Sequence, residues 1–80
     1  MKGIKEGYYL YHYNDTTKGK VAIYAISQFD SMGNQRIRPL DTKGSPEYVR
    51  STDLLIDYVK SGKLQPITFE EYQAFQYGIL

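Results

Sequence analysis

The sequence offers three candidates for acid–base catalysis or metal binding: His12, Asp53 and Asp57. His12 is the only histidine, and a histidine can transfer protons near neutral pH. A half-buried histidine with a satisfied hydrogen bond is the more frequent role, and it is the one we favour. Asp53 and Asp57 have a helical spacing that can hold a metal ion or form an acid–base pair. The same spacing is more often found on a solvent-exposed helix face.

The other catalytic signals are missing from the sequence. It has no cysteine, no serine in a Gly-x-Ser-x-Gly context and no glycine-rich phosphate-binding loop. Without cysteine, and with a single histidine, a zinc site would depend on carboxylates, which is unusual. The sequence therefore predicts a protein that is not an enzyme and that holds no metal and no cofactor.

Tyrosines dominate residues 8–13, which read Tyr-Tyr-Leu-Tyr-His-Tyr. In a β-strand, alternate side chains point to opposite faces of the sheet, so Tyr9, Tyr11 and Tyr13 would share one face. Tyrosine combines a large apolar ring with a polar hydroxyl and is enriched in interface cores. The pattern predicts a protein-binding surface formed by Tyr9, Tyr11 and Tyr13, extended by Tyr24 if the second strand is in register.

Two other uses of this tyrosine face are open. The chain contains nine tyrosines and three phenylalanines, so many of its aromatic rings must belong to the core. A C-terminal helix carrying Phe69, Tyr72 and Phe75 could cover the face. A homodimer formed through the same face is the third hypothesis.

A nucleic-acid partner is the alternative function. Arg36 and Arg38 share a face of the predicted third strand, and Lys18 and Lys20 flank the first hairpin loop. Arginines beside aromatic rings on a sheet can contact phosphates and stack on bases. An ordinary solvent-exposed strand also explains these residues.

The overall charge favours neither partner. Residues 1–44 carry seven Lys and Arg against four Asp and Glu, whereas residues 45–80 carry three against five. The isoelectric point near 7.9 is below that of a dedicated nucleic-acid-binding domain.

Turn residues divide the chain into the elements of one predicted domain, residues 1–80. The predicted strands are residues 8–13, 21–27 and 35–40, with a weaker fourth at 47–50. A helix begins at Ser51 or Thr52 and ends at Gly62, an extended link covers residues 63–67, and a second helix follows. Thr68 and Glu71 form a capping box at the start of that second helix.

We therefore predict an α+β fold: an antiparallel meander of three or four strands, one packed helix and a short C-terminal helix. The alternative is a small SH3-like β-barrel with a helical insertion, in which residues 47–50 and 63–67 are also strands. The order of three strands and a helix over residues 8–61 resembles the arm-site-binding domains of tyrosine recombinases and the plant-type three-stranded DNA-binding domains. That resemblance implies a nucleic-acid interface on the sheet.

The chain shows no sign of membrane insertion or export. No apolar run follows the basic start Met-Lys-Gly-Ile-Lys, and no segment approaches 18 apolar residues. We expect a cytoplasmic protein with no membrane partner, and its size and composition suggest a bacterial or phage origin.

Overall fold

A computed structural model of the protein describes residues 3–12, 19–40 and 47–78. Tyr13 and Lys18, two of the predicted binding residues, lie outside these ranges. The elements in chain order are β1 (Gly7–His12), β2 (Lys20–Phe29), β3 (Asn34–Pro39), β4 (Tyr48–Ser51), α1 (Thr52–Ser61), β5 (Leu64–Ile67) and α2 (Phe69–Gln76). The predicted α+β class is confirmed.

The strands form one open antiparallel sheet in the order β4-β3-β2-β1-β5. Strands β1 to β4 pair successively along the chain. The chain then forms α1, and β5 pairs with β1 at the opposite edge of the sheet. The weakly predicted strand at 47–50 is therefore present as β4, and the predicted link at 63–67 is strand β5. Pro66 fits an edge strand because one side of β5 needs no backbone N–H for pairing.

Helix α1 covers one face of the sheet and encloses the main core. Tyr9 of β1, Ile37 of β3 and Leu55 of α1 are buried there, together with further apolar residues from the other elements: Ile4, Ile23, Ala25 and Leu64. Strand alternation explains this set, since Tyr9 lies opposite Ile23 on the neighbouring strand and both side chains therefore leave on the same face.

Helix α2 lies on the other face and packs against β1. The rings of Phe69 and Tyr72 approach the ring of Tyr8, with centroid distances of 5.5 and 5.0 Å. On the same face Leu10 and Ala22 are buried. No residue of α2 is itself buried, so this helix is a peripheral element.

Capping chemistry defines the helix ends as the sequence predicts. The Ser51 hydroxyl accepts the N–H of Leu54, and Gly62 ends α1 with a φ of 83°, a left-handed conformation that favours glycine. At α2 the Thr68 hydroxyl accepts the N–H of Glu71 at 3.0 Å, while the Glu71 carboxylate accepts the N–H of Thr68 at 2.9 Å. This reciprocal pair is the predicted capping box.

A fully buried glutamine, Gln35, attaches the N-terminal segment to the sheet. Its Oε1 accepts the N–H of Ile4 at 2.9 Å, and its Nε2 donates to the carbonyls of Ile4 at 2.9 Å and Ile26 at 3.2 Å. Gly3 allows this close approach, because a Cβ at that position would lie 2.5 Å from the Gln35 oxygen and 2.7 Å from the ring of Phe29. The three hydrogen bonds use both N–H donors of the amide and give its oxygen one partner.

Neither helix in the described ranges has the length and apolar content that crossing a lipid bilayer requires.

Candidate functional site

The structure does not assemble the predicted tyrosine surface as one face. Tyr9 is 5% exposed and lies beneath α1, where its hydroxyl donates to the carbonyl of Lys5 at 2.6 Å. Tyr24 pairs with Tyr8, so it leaves the sheet on the opposite face from Tyr9. The register on which Tyr24 would extend the same surface is therefore not the one observed, because Tyr24 lies one position out of step with Tyr9 in the strand alternation.

The element that covers the tyrosine face also differs from the prediction. Helix α1 packs over Tyr9, whereas the aromatic side chains Phe69 and Tyr72 of α2 lie against Tyr8 on the other side. The chain reaches β5 through α1, and a helix that connects the two edges of a sheet must cross one of its faces. That face is the one with Tyr9.

Among the predicted tyrosines that the structure describes, Tyr11 lies at the opening of the main core beside Tyr58. It lines a cleft of about 70 Å³ together with Tyr48, Tyr58 and Arg50. We call these four residues, with their apolar floor, the tyrosine cleft. The floor consists of aliphatic core side chains from both layers: Ile23, Ile37, Leu55 and Leu64.

Three separate elements bring the rim of the tyrosine cleft together. Tyr11 lies on β1, Tyr48 begins the edge strand β4 opposite Ile37, and Tyr58 lies in the second half of α1. Because α1 links β4 to β5 across the sheet, its later residues reach β1. The rings of Tyr11 and Tyr58 stack with centroids 5.8 Å apart and an angle of 23° between their planes.

Two cations lie over the tyrosine rings. The guanidinium carbon of Arg50 is 4.3 Å from the centroid of Tyr48. The Nζ of Lys63 is 5.1 Å from the centroid of Tyr58 and 5.9 Å from that of Tyr11. These distances are those of cation–π contacts. The rim of the cleft therefore combines aromatic faces with positive charge.

The surroundings of Tyr11 in the cleft favour its protonated phenol. Burial raises the pKa of Tyr11, and the neighbouring Tyr58 raises it further. Among the residues described, the cleft lining includes no aspartate or glutamate. A neutral aromatic rim with two nearby cations suits a ligand that is negatively charged and partly apolar.

The alternative site around the arginines is present but engaged within the chain. Arg36 and Arg38 are both exposed, and both guanidinium groups contact the carboxylate of Glu47, Arg38 through its Nε at 3.1 Å. Arg36 also donates to Gln28 at 2.6 Å. Hydrogen bonding from Arg38 is the main reason that the pKa of Glu47 is lowered.

Lys20 lies at some distance from these arginines. It pairs with His12, whereas Arg38 lies opposite Tyr24, four residues further along β2. At about 3.3 Å per residue this separation is roughly 13 Å along the strand. Lys20 and the two arginines therefore do not form one compact patch.

The catalytic candidates occupy ordinary structural positions. The Nε2 of His12 lies 3.3 Å from the Oε1 of Gln65, which is a neutral amide oxygen. Asp53 and Asp57 are exposed on α1. In the part of the chain that the structure describes, no three His, Asp or Glu side chains come together as a metal site.

Sequence reasoning missed Tyr48, Tyr58, Arg50 and Lys63 as site residues. A local signal existed only for Arg50 and Tyr48, which alternate in the weakly predicted strand β4. Their meeting with Tyr11 depends on the edge position of β4 and on the path of α1, and both are set by contacts between segments distant in the chain.

Comparison of the chain with protein-family models, with curated proteins and with solved structures found no match.

Proposed function

We propose that this protein is a non-catalytic binding module that recognises an acidic segment of a partner protein through the tyrosine cleft. The observation that carries the proposal is the set of three tyrosine rings at an opening of the core, with Arg50 and Lys63 placed over them. The sequence-based idea of a tyrosine-rich protein-binding surface is kept, with Tyr11 in it and with a changed set of neighbours.

The residue types in the cleft are those that contribute most to protein interfaces. Tyrosine and arginine are enriched among residues whose truncation costs the most binding free energy. Stacking already holds Tyr11 against Tyr58, so binding would cost little additional side-chain entropy. The apolar floor can accept the apolar side chain of a partner, while the cations attract carboxylates beside it.

A nucleic-acid partner has weaker support from this geometry. The arginines proposed for phosphate contact share the carboxylate of Glu47, so part of their charge is neutralised. A phosphate would compete with the Glu47 carboxylate for these guanidinium groups. The cleft itself offers two cations, fewer than the six to ten phosphate contacts typical of strongly salt-dependent DNA binding.

Selection from a displayed library of random dodecapeptides tests the proposal. We expect peptides that combine aspartate or glutamate with an aromatic or large aliphatic residue to be enriched on the wild-type protein. The variants Arg50→Glu and Lys63→Glu should weaken the enriched peptides about three- to tenfold each, from loss of attraction and gain of repulsion. Lys20→Glu makes the same charge change away from the cleft and should leave affinity unchanged.

A second assay separates the two functions. Labelled oligonucleotides, titrated at about 50 and about 200 mM salt, should show no binding that depends on Arg36 and Arg38. Tight binding at the lower salt that strengthens in Glu47→Gln would instead assign the arginine face to nucleic acid. Failure of the library to yield any peptide sensitive to Arg50→Glu would overturn the cleft as the protein-binding site.

A further inference from the structure

A second groove lies on the opposite flank of α1 from the tyrosine cleft. Its volume is about 400 Å³, within the range of small-molecule sites. Leu55 and Tyr58 of α1 face the tyrosine cleft, whereas Ile56, Val59 and Lys60 face this groove. The helical spacing of three and four residues places these two sets on different flanks of the same helix.

The groove has an apolar floor and wall. Tyr9 and Pro66 are opposite each other on β1 and β5 and both line it, and Ile56 and Val59 form the helical side. The floor is closed, because Tyr9 is 5% exposed and its hydroxyl is tied to the Lys5 carbonyl. Ile56 and Val59 are half-buried, so their side chains offer apolar area to a ligand.

The charged residues that line the groove are both lysines. Lys5 comes from the N-terminal segment and Lys60 from α1, so two different elements each contribute one lysine to the lining. Glu6, beside Lys5 in the chain, is directed elsewhere: its carboxylate accepts the hydroxyl of Tyr24 and the N–H of Ser27. Asp57, beside Ile56, is not part of the lining.

From this arrangement we infer that the groove binds a small anionic amphiphile, with an alkyl or aryl tail along Ile56, Val59 and Pro66 and an anionic head between Lys5 and Lys60. The simplest ligand of this class is a medium-chain carboxylate. Charge complementarity sets the sign of the head group, and the apolar wall sets the nature of the tail. This inference does not depend on the proposed function of the tyrosine cleft.

Titration of the ¹⁵N-labelled full chain with butanoate, hexanoate and octanoate tests the apolar part. Affinity should rise roughly twofold to fourfold for each added methylene, since each one removes further apolar surface from water. The amide shifts should centre on Ile56, Val59 and Lys60. An affinity that is independent of tail length would overturn the inference.

Charge variants test the head-group part. Heptyltrimethylammonium has the same heptyl tail as octanoate with a positive head and should bind at least about threefold more weakly than octanoate. Lys5→Glu and Lys60→Glu should each weaken octanoate roughly three- to tenfold, and both residues have exposed side chains whose replacement should leave the fold intact. Equal binding of both head groups would contradict the role of the lysines.

Arg50→Glu is the matched control, because it reverses one exposed charge at the other cleft. Octanoate affinity should not change in this variant. If Arg50→Glu weakens octanoate while Lys60→Glu does not, the ligand occupies the tyrosine cleft and the proposed groove site is wrong.

Discussion

Replacement of Gln35 by leucine should lower stability more than any exposed polar substitution. The amide makes three hydrogen bonds, of 2.9, 2.9 and 3.2 Å, to the backbone of Ile4 and Ile26. At about 1 kcal/mol net for each neutral hydrogen bond, their loss costs about 3 kcal/mol. If residues 3–6 detach so that their backbone is hydrated, the fold instead loses the burial of Ile4, worth about 1.5–3 kcal/mol.

The two routes give a loss of about 1.5–3 kcal/mol. A domain of 80 residues is expected to have a total stability of about 4–12 kcal/mol, so the effect is large enough to leave the variant marginally stable. Urea unfolding followed by far-ultraviolet circular dichroism measures the change as a shift in midpoint. Gly3→Ala should destabilise the fold through the same contact, because the added Cβ would clash with the Gln35 Oε1.

Gln65→Leu is the matched control for Gln35→Leu. Gln65 is exposed, and its Oε1 lies 3.3 Å from the Nε2 of His12. Its replacement should change stability by no more than about 0.5 kcal/mol. If the two leucine variants unfold at the same urea concentration, the buried amide is not what holds the N-terminal segment.

Three further outcomes follow from the structure. The backbone N–H groups of Asn34 and Met32 donate to the carboxylate of Asp30, and these hydrogen bonds lower the pKa of Asp30 below the ordinary value of 3.8. Above pH 3.8 the ionised carboxylate of Asp30 therefore stabilises the fold, and this contribution is lost as the pH falls through the lowered pKa. The melting temperature of Asp30→Ala should lie below that of the wild type at pH 7, and the difference should shrink toward pH 2. A difference that stays constant over this range would contradict the prediction. Burial raises the pKa of Tyr9, so the stability that its phenol contributes is complete below pH 10 and is lost as the pH rises through the raised pKa. Tyr9→Phe should therefore cost about 1 kcal/mol at pH 7 and lose stability less steeply in an alkaline titration. The same loss of stability with alkaline pH in Tyr9→Phe and in the wild type would argue against this. Thr68→Ala removes the cap of α2 and should cost that helix about 1 kcal/mol, visible as faster amide exchange in α2 alone, whereas global destabilisation would show that α2 is integral to the core.

Local chemistry explains which parts of the fold the sequence predicts well. The helix ends are set by hydrogen bonds between groups that are close together in the chain. The residues concerned are Ser51 and Gly62 for α1 and Thr68 and Glu71 for α2, so their roles can be predicted without the tertiary structure.

The parts that sequence reasoning misplaced depend on distant contacts. Residues 63–67 look like a short link because Pro66 disfavours a strand, yet pairing with β1 makes them one. The face of Tyr9 is covered by α1 because the chain must pass from β4 to β5, and this path exists only once β5 is recognised. If residues 63–67 are only a link, α2 is the natural candidate to cover the tyrosines.

The same contrast between local patterns and distant contacts applies to the candidate site. The tyrosine pattern of β1 correctly indicates that Tyr9 and Tyr11 share a face, but burial separates them, since Tyr9 lies under α1 while Tyr11 reaches the opening beside Tyr58. Tyr24 would share that face only in a register shifted by one residue, and its observed pairing with Tyr8 places it on the opposite face.

The most direct test of the tyrosine cleft is a ¹H–¹⁵N NMR titration of the full chain with an acidic peptide enriched from the dodecapeptide library. We predict the largest amide shift changes at the rim of the cleft and beside it, at Tyr11, Tyr48, Arg50, Tyr58 and Lys63. Arg50→Glu should reduce those changes at the same peptide concentration. Largest changes at Arg36 and Arg38, or in the groove beside Lys60, would contradict the account and move the protein-binding site to another face.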